Sequence, residues 1–104
     1  MMNEITKQNE AQDMTKEQAK AKIEEHRKII DELDEKLLEL LNKRSEQSLI
    51  IRKLKPIAQT ELFDPAREQR IFDKLNAQNK GPMSNANVHE IYETLLKVMK
   101  EVQA

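Results

Sequence analysis

Apolar residues recur at three-, four- and seven-residue intervals from Ile23 through Ile30, Leu33, Leu37, Leu40 and Leu41 to Ile51 and Leu54. That spacing keeps them on one face of a helix with 3.6 residues per turn. Thr15 followed by Gln18 supplies a T-x-x-Q capping box, in which hydroxyl and amide each satisfy a backbone N–H left unpaired by the first turn, so the helix is predicted to begin at Lys16. Neither Gly nor Pro intervenes before Pro56. One helix of about forty residues follows, roughly 60 Å long at 1.5 Å per residue. The rest of the chain is too short to cover it, and a homodimer is the simplest remedy.

Pro56 to Phe63 is predicted to be a connecting loop, since it opens on a residue without a backbone donor and carries few helix-start signals. Asp64-Pro65 then opens a second helix, with Asp as N-cap and Pro at the first helical position. Its apolar face is Ile71, Phe72 and Leu75, and Asn79-Lys80-Gly81-Pro82 stops it, with Gly available for a left-handed cap. Ser84 or Asn85 caps a third helix. Its stripe is Val88, Ile91, Tyr92, Leu95, Val98 and Val102. The fold class is therefore all-α, three helices in the order long, short, medium. Residues 1–14 are polar and aperiodic and are read as a flexible leader, which leaves 15–104 as the folded domain.

Composition narrows the function. Of 104 residues, 18 are Lys or Arg and 19 Asp or Glu, so no net basic charge exists to grip nucleic acid. No Cys is present, which excludes thiolate metal sites and disulfide or thiol redox chemistry. With 3% aromatic residues, Leu and Ile must supply nearly all the core. No apolar run approaches the roughly 18 residues of a membrane span, and the first residues lack the apolar core of a signal peptide, so a soluble cytoplasmic protein is expected.

Polar residues occupy places that the apolar stripe should own. Seven residues beyond Leu37, Leu40 and Leu41 stand Arg44, Gln47 and Ser48. Lys55 lies eleven beyond Arg44, and eleven steps of 100° return it to within roughly 20° of the same direction. Two readings fit: long side chains snorkelling from an open helix end, or a polar pocket inside the bundle. Asp64, Arg67 and Glu68 place one guanidinium and two carboxylates in the first turn of the second helix. Alone that is ordinary capping with a surface ion pair. Near Lys55 it becomes a constellation without an evident nucleophile, suited to recognising a small polyanion. His26 and His89 are isolated from other metal ligands, and Ser45, Ser48 and Ser84 lack a nucleophile elbow, so neither a metal site nor a hydrolytic triad is expected. Tyr92 and the Met residues read as packing, apart from those in the leader.

The run Leu33-Asp34-Glu35-Lys36-Leu37-Leu38-Glu39-Leu40-Leu41, then Arg44, Lys55 and Phe63-Asp64-Pro65-Ala66-Arg67-Glu68, resembles the all-helical, type II chorismate mutase family. The resemblance extends from about Arg27 to Gln103 and includes the Gly81-Pro82 break. It implies an intertwined homodimer that rearranges chorismate to prephenate with neither metal nor organic cofactor. It also implies that Arg27 and Arg44 bind the two substrate carboxylates, a bidentate task suited to guanidinium. Lys55 and Gln103 would flank the ether oxygen, Glu68 would hold the ring hydroxyl, and Asp64 and Arg67 would shape the mouth of the pocket. Arg27 stands seventeen residues from Arg44, roughly 25 Å along one helix and about 100° around it, so its implied role is in the partner subunit's site, whereas the residues alone favour a pair with nearby acids such as Glu24 or Asp31.

Some positions depart from the family. Arg52 stands where many relatives place a small residue and is read as pointing to solvent. Met99 replaces a hydroxyl that some members offer to a carboxylate, so that contact is not expected. A neighbouring activity in this fold, isochorismate pyruvate-lyase, uses similar cations without the D-P-x-R-E turn. A helical partner-binding module without catalysis is the alternative from another class, and docking to another shikimate-pathway enzyme is a further possibility that the resemblance raises.

Overall fold

The computed structural model describes residues 13–102. Most of the expected leader and Gln103 lie outside them. Three helices are formed, and no strand among the described residues: α1 (Lys16–Ile57), α2 (Pro65–Gln78) and α3 (Asn85–Glu101). The chain divides into two compact units, Met1–Leu41 and Asn42–Ala104, the boundary falling within α1.

In the first unit the capping box forms as the sequence predicts. Thr15 N–H donates to Gln18 Oε1 at 3.0 Å, and Gln18 N–H donates to Thr15 Oγ1 at 3.1 Å. No residue of α1 is buried. Leu33, Leu37 and Leu40 are 55%, 55% and 61% exposed. The apolar stripe therefore forms on schedule, and these leucines of the first unit are left more than half exposed. Polar faces carry local ion pairs, Lys22 with Glu25 at 3.2 Å and Arg27 with Glu24 at 2.7 Å.

In the second unit α1 runs past Pro56 to Ile57, two residues beyond the expected end. Proline in a last turn removes one donor, and the helix closes over it with Ala58 N–H donating to the Leu54 carbonyl at 2.9 Å. Gln59 then takes a left-handed conformation, φ 57°. Its N–H reaches the Pro56 carbonyl at 3.1 Å while Thr60 N–H reaches that of Lys55 at 3.0 Å. This is a Schellman ending built on glutamine rather than glycine.

Asp64 caps α2 by accepting from Arg67 N–H at 3.0 Å, with Pro65 in the first turn. Asp64→Ala is expected to cost about 1 kcal/mol of stability through loss of that cap, read as a lower urea midpoint at fixed protein concentration. The end of α2 corrects one expectation. Asn79 is the cap, in extended backbone, and Gly81, φ 76°, serves the turn two residues later. The Asn79 side chain organises that turn, accepting from Gly81 N–H and donating to the Met83 carbonyl and Asn85 Oδ1. Ser84, rather than Asn85, caps α3 in a reciprocal box with Asn87.

Helices α2 and α3 pack together, with Phe72 stacked on His89 at 4.1 Å between ring centroids. The buried line on α3 is centred on Leu96 and Met99, at 9% and 6% exposure, rather than on the expected Ile91 and Val98, which stay exposed. Met99 also accepts a hydrogen bond at its sulfur from Ser45 Oγ, 3.2 Å away on α1. Two buried side chains among the described residues make a thin core for a domain of this length.

Candidate active site

Beside that core lies a cavity of about 520 Å³, lined wholly from the second unit. The polar face of α1 supplies Arg44, Gln47, Ser48 and Lys55, the positions that interrupt the apolar stripe. The first turn of α2 supplies Asp64, Arg67 and Glu68, and the segment before it supplies Leu62 and Phe63. Ile51 and Ile71 are apolar wall, closed from α3 by Leu96 and Met99. A cavity of this size with convergent charges on apolar walls fits a small ligand.

Cations outnumber carboxylates around it. Arg44, Arg52, Lys55, Arg67 and Lys100 face two acids, Asp64 and Glu68. Lys55 Nζ donates to the Leu62 carbonyl at 2.6 Å, which ties the end of α1 to the segment leading into α2 and fixes the ammonium. The Glu68 side chain, 27% exposed, pairs with Lys100 at 2.8 Å, and that ammonium also lies 4.7 Å from the Phe63 ring centroid. Among the described residues no side chain partners the guanidinium of Arg44 or Arg67, so both remain available to an anionic ligand.

Five of the seven residues singled out in the sequence thus meet around one cavity: Arg44, Lys55, Asp64, Arg67 and Glu68. Arg27 belongs to the first unit, where it pairs with Glu24. Two lining cations, Arg52 and Lys100, go beyond the sequence reading. Arg52 does not point to solvent: it is half-buried and donates to backbone carbonyls of α3. Its position four residues after Ser48 is the available signal, since that spacing returns a side chain to nearly the same face. Lys100 follows Met99 on α3 and has no such signal, because the buried line of that helix lies one step away from the predicted stripe.

Residues 26–104 match the family model described as chorismate mutase type II. This chain belongs to that family. Among curated relatives, the bifunctional chorismate mutase/prephenate dehydratase of Aquifex aeolicus is 40% identical over 58 residues, 56% of this chain and 16% of that protein. The enzyme of the same name from Neisseria gonorrhoeae is 30% identical over 71 residues, 68% of this chain and 19% of the relative. The chain therefore spans less than a fifth of the length of these relatives. Two structures of chorismate mutase from Thermus thermophilus share the type II fold of this chain. Form II has a TM-score of 0.75 at 25% identity, covering 78% of this chain and 92% of that one. Form I has a TM-score of 0.73 at 26% identity, covering 75% and 98%.

Proposed function

We propose that this chain is a chorismate mutase, converting chorismate to prephenate by an intramolecular Claisen rearrangement. The observation that carries the reading is the meeting of Arg44, Lys55, Arg67 and Glu68 around one cation-rich cavity, in a chain of the chorismate mutase family. Chorismate is a dicarboxylate, and a cavity with more cations than acids favours it over neutral competitors. Arg44 takes one carboxylate in a bidentate pair. Arg27, supplied by the partner of a homodimer, takes the other. Arg67 keeps the mouth of the pocket positive, and Asp64 fixes the turn that carries it.

Within the bound molecule an ether C–O bond breaks while a C–C bond forms, so no group need be transferred to the protein. Negative charge grows on the ether oxygen as the bond opens. Lys55, held by the Leu62 carbonyl, donates to it more strongly in the transition state than in the ground state, and Gln103 donates from the other side. Glu68 accepts from the ring hydroxyl. The apolar wall holds the enolpyruvyl arm over the ring, which removes the rotational freedom that slows the reaction in water. No metal or organic cofactor takes part.

The exposed stripe of α1 supports the homodimer, and the fusion of mutase with dehydratase in the named relatives supports docking to a shikimate-pathway enzyme. No described helix is long and apolar enough to cross a membrane, in keeping with a cytoplasmic location. The deciding experiment incubates the purified protein, without added metal, with chorismate and separately with isochorismate. Prephenate from chorismate is the expected product. Pyruvate from isochorismate alone would select the lyase, and no reaction with either would select a binding module.

A further inference from the structure

Glu68 is the acceptor assigned to the ring hydroxyl, and its own helix does not hold its carboxylate. The backbone is fixed, since Glu68 N–H donates to the Asp64 carbonyl at 3.2 Å in the first turn of α2. The side chain beyond it is long and rich in rotamers, so a carboxylate that must meet one hydroxyl needs a partner to choose among them. Among the described residues one side chain pairs with it. Lys100 Nζ lies 2.8 Å from Glu68 Oε1, and the carboxylate is the more sheltered of the two, 27% exposed against 55%. Exposed pairs within one helix contribute little. This pair instead joins α3 to α2, at the cavity that both residues line.

The ammonium is itself held. It lies 4.7 Å from the centroid of the Phe63 ring, which belongs to the segment leading into α2. Lys100 stands in the last turn of α3, where a cation complements the unsatisfied carbonyls, and directly follows Met99, 6% exposed. Its stem therefore starts beside a packed position. A carboxylate has two oxygens, and pairing one with an ammonium leaves the group able to accept from a hydroxyl. We propose that Lys100 is a positioning residue that sets the Glu68 carboxylate for the ring hydroxyl of the substrate. The proposal rests on the mutase reading. Since the two side chains act as a unit, the effect on turnover of removing Lys100 depends on Glu68 being there.

A double-mutant cycle on the full chain tests it, using Lys100→Met, Lys100→Arg, Glu68→Gln and the combination of Lys100→Met with Glu68→Gln. Methionine keeps a long unbranched stem and removes the charge. Lys100→Met is expected to lower kcat by about tenfold, within the range of coupling between neighbours in one ion-pair network. Combined with Glu68→Gln, the same change should move kcat by less than about twofold. Lys100→Arg, which keeps a cation in reach of carboxylate and ring, should retain at least about half of the wild-type kcat. Melting temperatures should stay close to wild type in all of them, because the lysine is more than half exposed.

Equal losses of kcat with and without Glu68 would overturn the proposal. A rise in KM at unchanged kcat would do the same, because it marks an ammonium that grips a substrate carboxylate directly. So would a Lys100→Arg protein as impaired as Lys100→Met. Should Lys100→Met not fold, Lys100→Gln carries the cycle under the same criterion. A wild-type chain that leaves chorismate untouched would instead overturn the mutase reading itself, which separates the two failures.

Discussion

Lys55→Ala is expected to lower kcat by about 10²–10³-fold, on the order of 3 kcal/mol, while leaving the fold in place. The asymmetry follows from what the ammonium touches. In the free protein the Lys55 ammonium makes one hydrogen bond, to the Leu62 carbonyl, at a position where water can replace it. Losing such a bond costs about 0.5–1.5 kcal/mol of stability, a fall of a few degrees in Tm. In the transition state of the proposed reaction the same ammonium faces charge that did not exist in the ground state, inside a cavity whose walls include Ile51, Ile71, Leu96 and Met99. A preformed donor there needs no reorganisation when the bond breaks. Steady-state kinetics with chorismate, paired with thermal melts at one protein concentration, separate the two effects. A kcat that survives the substitution would remove Lys55 from the mechanism.

The parts of this fold that are legible in the sequence are those decided within a few residues. Thr15 with Gln18, Asp64 before Pro65, and Ser84 or Asn85 before α3 each declare a helix start through a side chain that reaches its own first turn, and all three starts form, the last on Ser84. Helix ends are less legible. The Schellman ending at Gln59 needs a left-handed residue, and no glycine marks the place. Asn79 takes the end of α2, although Gly81 is the residue that advertises it.

The same division runs through the site. Arg44, Gln47, Ser48 and Lys55 are visible because they interrupt an apolar stripe on one helix, and their convergence with Asp64, Arg67 and Glu68 follows from the short connection between α1 and α2. Lys100 depends on the approach of α3 to α2, which leaves no period in the chain, and the spacing of Arg52 four residues after Ser48 marks its face but not the α3 carbonyls it meets. The periodicity of α3 puts its seam one step away from the line on which Leu96 and Met99 are buried. A helix with apolar residues on more than one side does not declare which side its neighbours will cover.

Leu37→Asp is expected to abolish both the dimer and the activity, the largest effect on stability that this chain offers. Of the residues that set the helical period in the first unit, Ile30, Leu33, Leu37 and Leu40 are more than half exposed. Burying one leucine contributes about 1.5–3 kcal/mol, so a stripe of them left in water forfeits more than a small domain's whole margin of stability. With Leu96 and Met99 as the buried apolar residues among those described, no reserve offsets that. In the proposed homodimer a second copy covers the stripe, supplies the missing burial and brings the partner's Arg27 to the pocket, which makes assembly, stability and catalysis one property. Wild-type protein should then sediment at twice the chain mass and melt at a temperature that rises with concentration. A carboxylate at position 37 would be buried unpaired in both copies of a symmetric interface, at a cost of several kcal/mol, and should leave an unfolded or monomeric, inactive chain. A Leu37→Asp protein that still sediments as a dimer and turns over chorismate would show that the stripe is not the interface.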